Sequence, residues 1–409
     1  MLRRLCFTVT FAIIWQLNAS LAIAESKKPQ QPDKFPPNPL EITTPDPLLP
    51  PLIDKQQLTL PELQSLETAL DQLNLEAAAK LQTGDEEAAF DIWNRELRLR
   101  RYLGSVAEVQ ALGRVGAIAW NENNNEQVQY ITQRLQTIQK QAQSSKIVDL
   151  ELMRSLGEAY QKVRSPELAL EAYNQVLATV RQQQDTNAVL QTLNTIGELH
   201  LLWFNYPQAA ATYEELLSLT PGDRQNQLVY LQQLAYIYQQ ARQPQESVNV
   251  LNKLAEIYNQ DNNLNKISEL KLAIGANYES LAQQNPILLQ EAFNNYQTAY
   301  VTAWQSQQYA RAGEALQKLI LLYRSQGQIT EALQASQILI ETQKQAVNFY
   351  GMMQAYDQIG QLYLEQKNYP QALTAFQQGL QLAQQLKHEE SYFTQQIEKV
   401  PTANFQETK

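Results

Sequence analysis

The stretch LNTIGELHLLWFNYPQAAATYEELLSLTP, Leu193 to Pro221, carries the pattern on which the fold turns. A small residue, Gly197, follows apolar Ile196 and precedes the ring of His200 by three positions. Twelve residues beyond Gly197 comes a second small residue, Ala209; Tyr213 follows four later, and Pro221 closes the stretch. Offsets of three and four place side chains on one face of a helix. Two antiparallel helices approach closely only where side chains are small, and an aromatic fills the space beside such a crossing. The stretch therefore predicts a helix pair that touches at Gly197.

The spacing recurs along the chain. Gly113, Gly157, Ala235, Gly275, Ile320 and Gly360 stand at the first small position, with Ala77 a fainter match, at separations of 36 to 45 residues. Ala89, Ala169, Ser247, Ala332 and Ala372 stand at the second, followed by Trp93, Tyr173, Leu251, Ser336 and Phe376. One copy keeps its pair, Ala292 and Tyr296, after an insertion around Gln284 to Ile287. Ile320 predicts a looser crossing in its copy, and the Asn121 to Asn125 run disturbs the second. Gly157, Gly197, Gly275 and Gly360 are expected where two helices touch. Self-similarity at this period marks a repeat architecture in which each copy buries its apolar face against its neighbours.

These residues resemble the tetratricopeptide-repeat family over about 330 residues; the copy with Ile359, Gly360, Tyr363, Tyr369, Ala372 and Phe376 matches as well as Leu193 to Pro221. The family period is nearer 34 than 40, so helices about one turn longer are expected. The resemblance implies an all-α solenoid of helix pairs wound as a right-handed superhelix, with about eight pairs over residues 62–388 and a cap and tail over 389–409. It also implies a concave groove that binds a protein or peptide partner, lined by the first helix of each pair at the positions three before and one after the small residue. Those positions are Gln110 and Arg114, Arg154 and Glu158, Asn194 and Glu198, Gln232 and Tyr236. Later copies place Leu272 and Ala276, Gln317 and Leu321, and Asp357 and Gln361 there. Family members that clamp a terminal carboxylate use Lys and Asn in adjacent copies. Arg154 and Asn194 come nearest here but are opposed by Glu158 and Glu198.

Composition agrees with a helical repeat. Only 13 of 409 residues are Gly, and Gln makes up roughly one in seven, well above ordinary usage. Low Gly with abundant Leu, Ala, Gln and Glu belongs to long helices, which argues against a Rossmann fold, a β-sandwich or a barrel. A net charge of −10 speaks against nucleic acid as a partner. One Cys and two His leave little for a disulfide framework, a thiolate zinc site or a catalytic triad. No cofactor or metal site has defensible spacing, and the chain reads as non-enzymatic.

Residues 1–24 read as a signal peptide. Arg3 and Arg4 precede an apolar run from Leu5 to Trp15, and Ala22-Ile23-Ala24 is an Ala-x-Ala cleavage pattern. Cleavage after Ala24 predicts export to the periplasm or thylakoid lumen, no stable membrane insertion afterwards, and a mature chain without cysteine. An uncleaved anchor is the alternative. Residues 25–61 hold ten of the 17 prolines and read as an extended spacer, either a stalk or a polyproline ligand. Signal, spacer and acidic repeats together resemble the layout of exported cyanobacterial repeat proteins that serve photosystem assembly. A cell-envelope scaffold for secretion or polysaccharide machinery, or a metal-carrying accessory protein, are the other classes left open.

Few residues are left for chemistry. His200, in the ring slot between two helices, reads as a core histidine, and Asp85-Glu86-Glu87 reads as a helix cap. Asp261-Asn262-Asn263 lacks the Gly and closing Glu of a calcium loop. Arg95, Arg98, Arg100 and Arg101 form the one basic concentration, either a solvated face or a docking patch for an acidic segment.

Overall fold

A computed structural model of the chain describes residues 38–49, 58–144 and 147–401. The signal-peptide reading, and the spacer at 25–37 and 50–57, lie outside the described residues. Seventeen α-helices and no strand are found among those described. The chain divides into two compact units, one ending at Leu103 and one beginning at Gly104.

The first unit holds one helix pair, α1 (Leu60–Gln82) and α2 (Glu86–Arg100). Helix α1 begins inside the stretch expected to be spacer. Pro61 sits in its first turn, where a missing N–H costs no hydrogen bond, and Thr59 with Glu62 forms a capping box. Asp85 caps α2 by accepting from the Ala88 N–H. Trp93 is fully buried and so is Ala77, at the crossing positions of this copy.

The second unit holds seven pairs: α3 (Ser105–Asn121) with α4 (Asn125–Gln143), α5 (Leu150–Lys162) with α6 (Pro166–Gln182), α7 (Thr186–Leu202) with α8 (Tyr206–Leu219), and α9 (Arg224–Gln240) with α10 (Pro244–Gln260). It continues with α11 (Leu264–Ala282) and α12 (Leu289–Gln305), α13 (Tyr309–Ser325) and α14 (Ile329–Gln345), and α15 (Phe349–Glu365) and α16 (Tyr369–Leu386). Helix α17 (Glu390–Lys399) packs on α16 through buried Phe393, which lies over Gly379. Helices of 17 residues joined by three-residue turns, as from α13 to α15, account for the 40-residue period. Many of the turns put one residue in the left-handed region and the next at the N-cap of the following helix. Phe204 (φ 57°) and Asn205 show the pattern, the Asn205 N–H closing back on the His200 carbonyl at 2.8 Å.

The crossings follow the predicted chemistry. A Cβ at Gly157 would stand 2.6 Å from the Tyr173 ring, at Gly197 2.9 Å from Tyr213, at Gly275 2.6 Å from Tyr296 and at Gly360 2.4 Å from Phe376. Ile320, where a looser crossing was expected, is fully buried, and so is Ser336 at the position that carries an aromatic elsewhere. Large and small have changed places, so the total volume at the crossing is kept. The second copy departs. A Cβ at Gly113 would meet Ala159 of α5, and one at Gly116 would come nearest Val163, just past α5, at 2.4 Å, with Ile131 of α4 at 3.4 Å. Helix α3 is thus turned relative to the first helices that follow it. A buried ion pair, Arg134 to both oxygens of Glu108 at 2.6 and 3.1 Å, joins it to α4.

Candidate protein-interaction face

The expected groove positions have several different fates. Gln110, Glu158, Glu198, Gln232 and Tyr236 are exposed, and Arg114, Arg154 and Asn194 are half-buried. Tyr236 keeps 49% of its surface in water. Arg154 makes no ion pair or hydrogen bond among the described residues. Asn194 is committed: its amide donates to the Leu190 carbonyl at 2.9 Å and to the Tyr230 hydroxyl of α9 at 3.2 Å. Gln232 donates to the Tyr258 hydroxyl at 2.9 Å. Glu158 and Glu198 act through charge on the tyrosines of their crossings. Tyr173 and Tyr213 are both pushed up to about 12, first by burial and then by these carboxylates.

Three expectations need correction. Leu272 does not line a groove; it is buried in the apolar core with Tyr296 and Leu316. Asp357 and Gln361 are taken by α17, through Tyr392 donating to Asp357 at 3.0 Å and Gln361 donating to Gln396 at 3.3 Å. Burial under that helix raises the Asp357 carboxyl above its ordinary range. The exposed, chemically varied stretch of first-helix face is therefore that of α5, α7 and α9. Further along, Ala276 and Leu321 are exposed and apolar.

The arginines of α2 hold a segment of the supposed spacer. Arg95 forks onto Asp46 at 2.7 and 2.9 Å, and Arg98 donates to the Pro39 carbonyl at 2.7 Å. Arg101 donates to the Leu40 carbonyl, and Leu40 is fully buried. Both hydrogen bonds from Arg95 hold the Asp46 carboxyl below its ordinary range, and burial lowers the Arg98 guanidinium. Residues 38–49 are thus strapped to α2. The acidic segment that the arginine patch docks is the chain's own. Position signals it: 95, 98 and 101 share one helical face, whereas Arg100 turns away to Glu96 and Asp71.

His200 is half-buried with Nδ1 3.4 Å from the Asn205 amide, and burial lowers its pKa, which suits a neutral packing residue. Asn263 caps α11, and Asp261 pairs with Arg224 at 2.5 Å. Among the described residues no three His, Cys, Asp or Glu side chains gather as a metal site. No helix among them is long and apolar enough to cross a membrane.

Stacked helix pairs closed by aromatics over small residues define a repeat scaffold for binding proteins. Residues 149–221 and 354–386 match tetratricopeptide-repeat family models, so the chain carries tetratricopeptide repeats in those stretches. Among solved structures it is similar to MamA at 19% identity, over 47% of this chain and 96% of that one, with a TM-score of 0.34. It is also similar to a signal-transduction ATPase with a tetratricopeptide-repeat sensor from Pyrococcus horikoshii (12% identity, 84% of this chain, 50% of that one, TM-score 0.40). A third is aspartyl phosphate phosphatase F of Bacillus subtilis (15%, 71% and 78%, TM-score 0.38). With these TM-scores below 0.5, the likeness rests on the matched repeats and not on the three neighbours. No curated protein matches it, and none of the matches supports the likeness in layout to the photosystem assembly factor PratA.

Proposed function

We propose that the protein is an exported, non-enzymatic scaffold that holds a protein partner along the first-helix face of α5, α7 and α9. The observation that carries this reading is the exposure there of Tyr236 and Glu158, with Arg154 half-buried and unpaired one turn before Glu158 on α5. A few aromatic and arginine side chains dominate most interfaces, and these are of that kind. Export rests on the n-region, apolar run and Ala-x-Ala of residues 1–24, and the layout suits a factor that helps assemble photosystem proteins.

Replacing Arg154 and Tyr236 together by Ala, with Asn194 left in place as a brace for Tyr230, is expected to abolish partner capture from the host without loss of helicity. Mass spectrometry of the captured material should show photosystem precursors. Secretion or polysaccharide components in their place assign the protein to the cell envelope. Capture that survives in the folded double variant moves the site off this face. The exported form should begin at Glu25 by N-terminal sequencing; a membrane-bound product starting at Met1 makes residues 1–24 an anchor.

A further inference from the structure

Repeat phase singles out one residue. Four positions before the small residue of the first helix stand Met153, Leu193, Leu231 and Leu316, all buried, and half-buried Tyr356. The copy built from α11 and α12 has Lys271 at that position. An apolar residue there would complete the core, so the charge is a departure with a cost. Lys271 is half-buried, yet its ammonium makes no hydrogen bond or ion pair among the described residues. Burial lowers its pKa, and Glu291 attracts it through charge without pairing with it.

Lys271 lines a cleft of 580 Å³ between α10, α11 and α12. Half-buried Asn252 and exposed Asn259 line it from α10, and Leu264 and Ile267 give it an apolar wall. Thr298 and Thr302 line it too, but both hydroxyl protons are already given to backbone carbonyls, those of Asn294 at 2.8 Å and Thr298 at 2.7 Å. The donors left over are the Lys271 ammonium and the side-chain amides of Asn252 and Asn259, which have no partner among the described residues. Uncommitted donors around one half-buried cation select an anionic acceptor. Glu256, on the same wall, and the single compensating cation disfavour a doubly charged phosphate.

We infer that this cleft is a binding site for a carboxylate, taken up by Lys271 with the amides of Asn252 and Asn259. The site lies between α10, α11 and α12 and does not use the first-helix face of α5, α7 and α9, so it stands or falls separately from that reading. Its carboxylate comes from an acidic side chain flanked by aliphatic residues, or from a free organic acid, the apolar wall of Leu264 and Ile267 suiting either.

Lysine dimethylation with carbon-13 keeps the charge and gives each lysine of the full chain an NMR signal. Titration at neutral pH with an acetylated, amidated Leu-Glu-Leu peptide should shift the Lys271 signal saturably, and the Leu-Gln-Leu counterpart should not. An equal response to acetate assigns the site to free organic acids; a response to the peptide alone assigns it to an acidic segment. Lys271→Met, which restores the residue type of Met153, should fold, and should weaken the peptide about tenfold or more as the half-buried charge partner is lost. A Lys271 signal that neither acid moves, or that Leu-Gln-Leu moves as much, overturns the proposal.

Discussion

In the first helix pair, fully buried Trp93 and Ala77 stand at the crossing positions, and the chain ahead of α1 is strapped to α2 by Arg95, Arg98 and Arg101. In the pairs from α5 to α16 four crossings are held by rings over glycine, and the other two carry buried Leu251, or buried Ile320 and Ser336, at the same positions. The two regions reach closure by different forces. Ring-over-glycine contacts are short-ranged, apolar and indifferent to salt. Arginine forks onto a carboxylate and carbonyls are directional, partly exposed and screened by salt. The strap is therefore the part of the described molecule that solution conditions can release.

The largest expected effect is in the apolar region. Phe376→Ala removes a fully buried ring from over Gly360 and should cost about 3–5 kcal/mol, read by urea unfolding and unchanged between low and high salt. A salt-dependent loss would erase the contrast between the regions. Next comes Gly197→Leu. Even a Cβ lies 2.9 Å from Tyr213, so a full side chain should cost about 1–3 kcal/mol by overpacking. An unchanged melting temperature would mean that α7 and α8 do not cross at that residue.

A smaller effect is expected in the strap. Arg95→Ala should cost about 1 kcal/mol, since Arg95 is 37% exposed and such pairs are screened. The loss should appear locally, as faster hydrogen exchange at the Leu48 and Leu49 amides, which bond to Asp46. Acid should do the same. Because the folded Asp46 pKa is held below 3.8, its contribution is complete above that pH and fades as the pH falls through the depressed value. Exchange at Leu48 that ignores both salt and acid would show the strap to be held by Leu40 alone. Last is a gain. Val347 is β-branched at φ 54°, so Val347→Gly in that turn should stabilise by about 1 kcal/mol, and a loss in thermal melting would show the turn to be unstrained.

Much of the fold was legible from residue order. Helix pairs, their period and the glycine–aromatic crossings depend on spacings of three, four, twelve and sixteen residues, which a helix converts directly into shared faces. The cap at Asp85 was equally readable, because a cap acts within a few residues of itself. Rotation of each helix about its own axis was not readable in this way. A turn of about 100° per residue separates a groove position from a core position, and neighbouring helices set that angle. Hence Leu272 went to the core, Gly113 faced α5 instead of α4, and α17 covered Asp357 and Gln361. The strap needed contacts 49 residues apart, between Asp46 and Arg95, and the cleft around Lys271 needed three helices at once. Local periodicity set what the elements are; long-range packing chose which side chains they leave open.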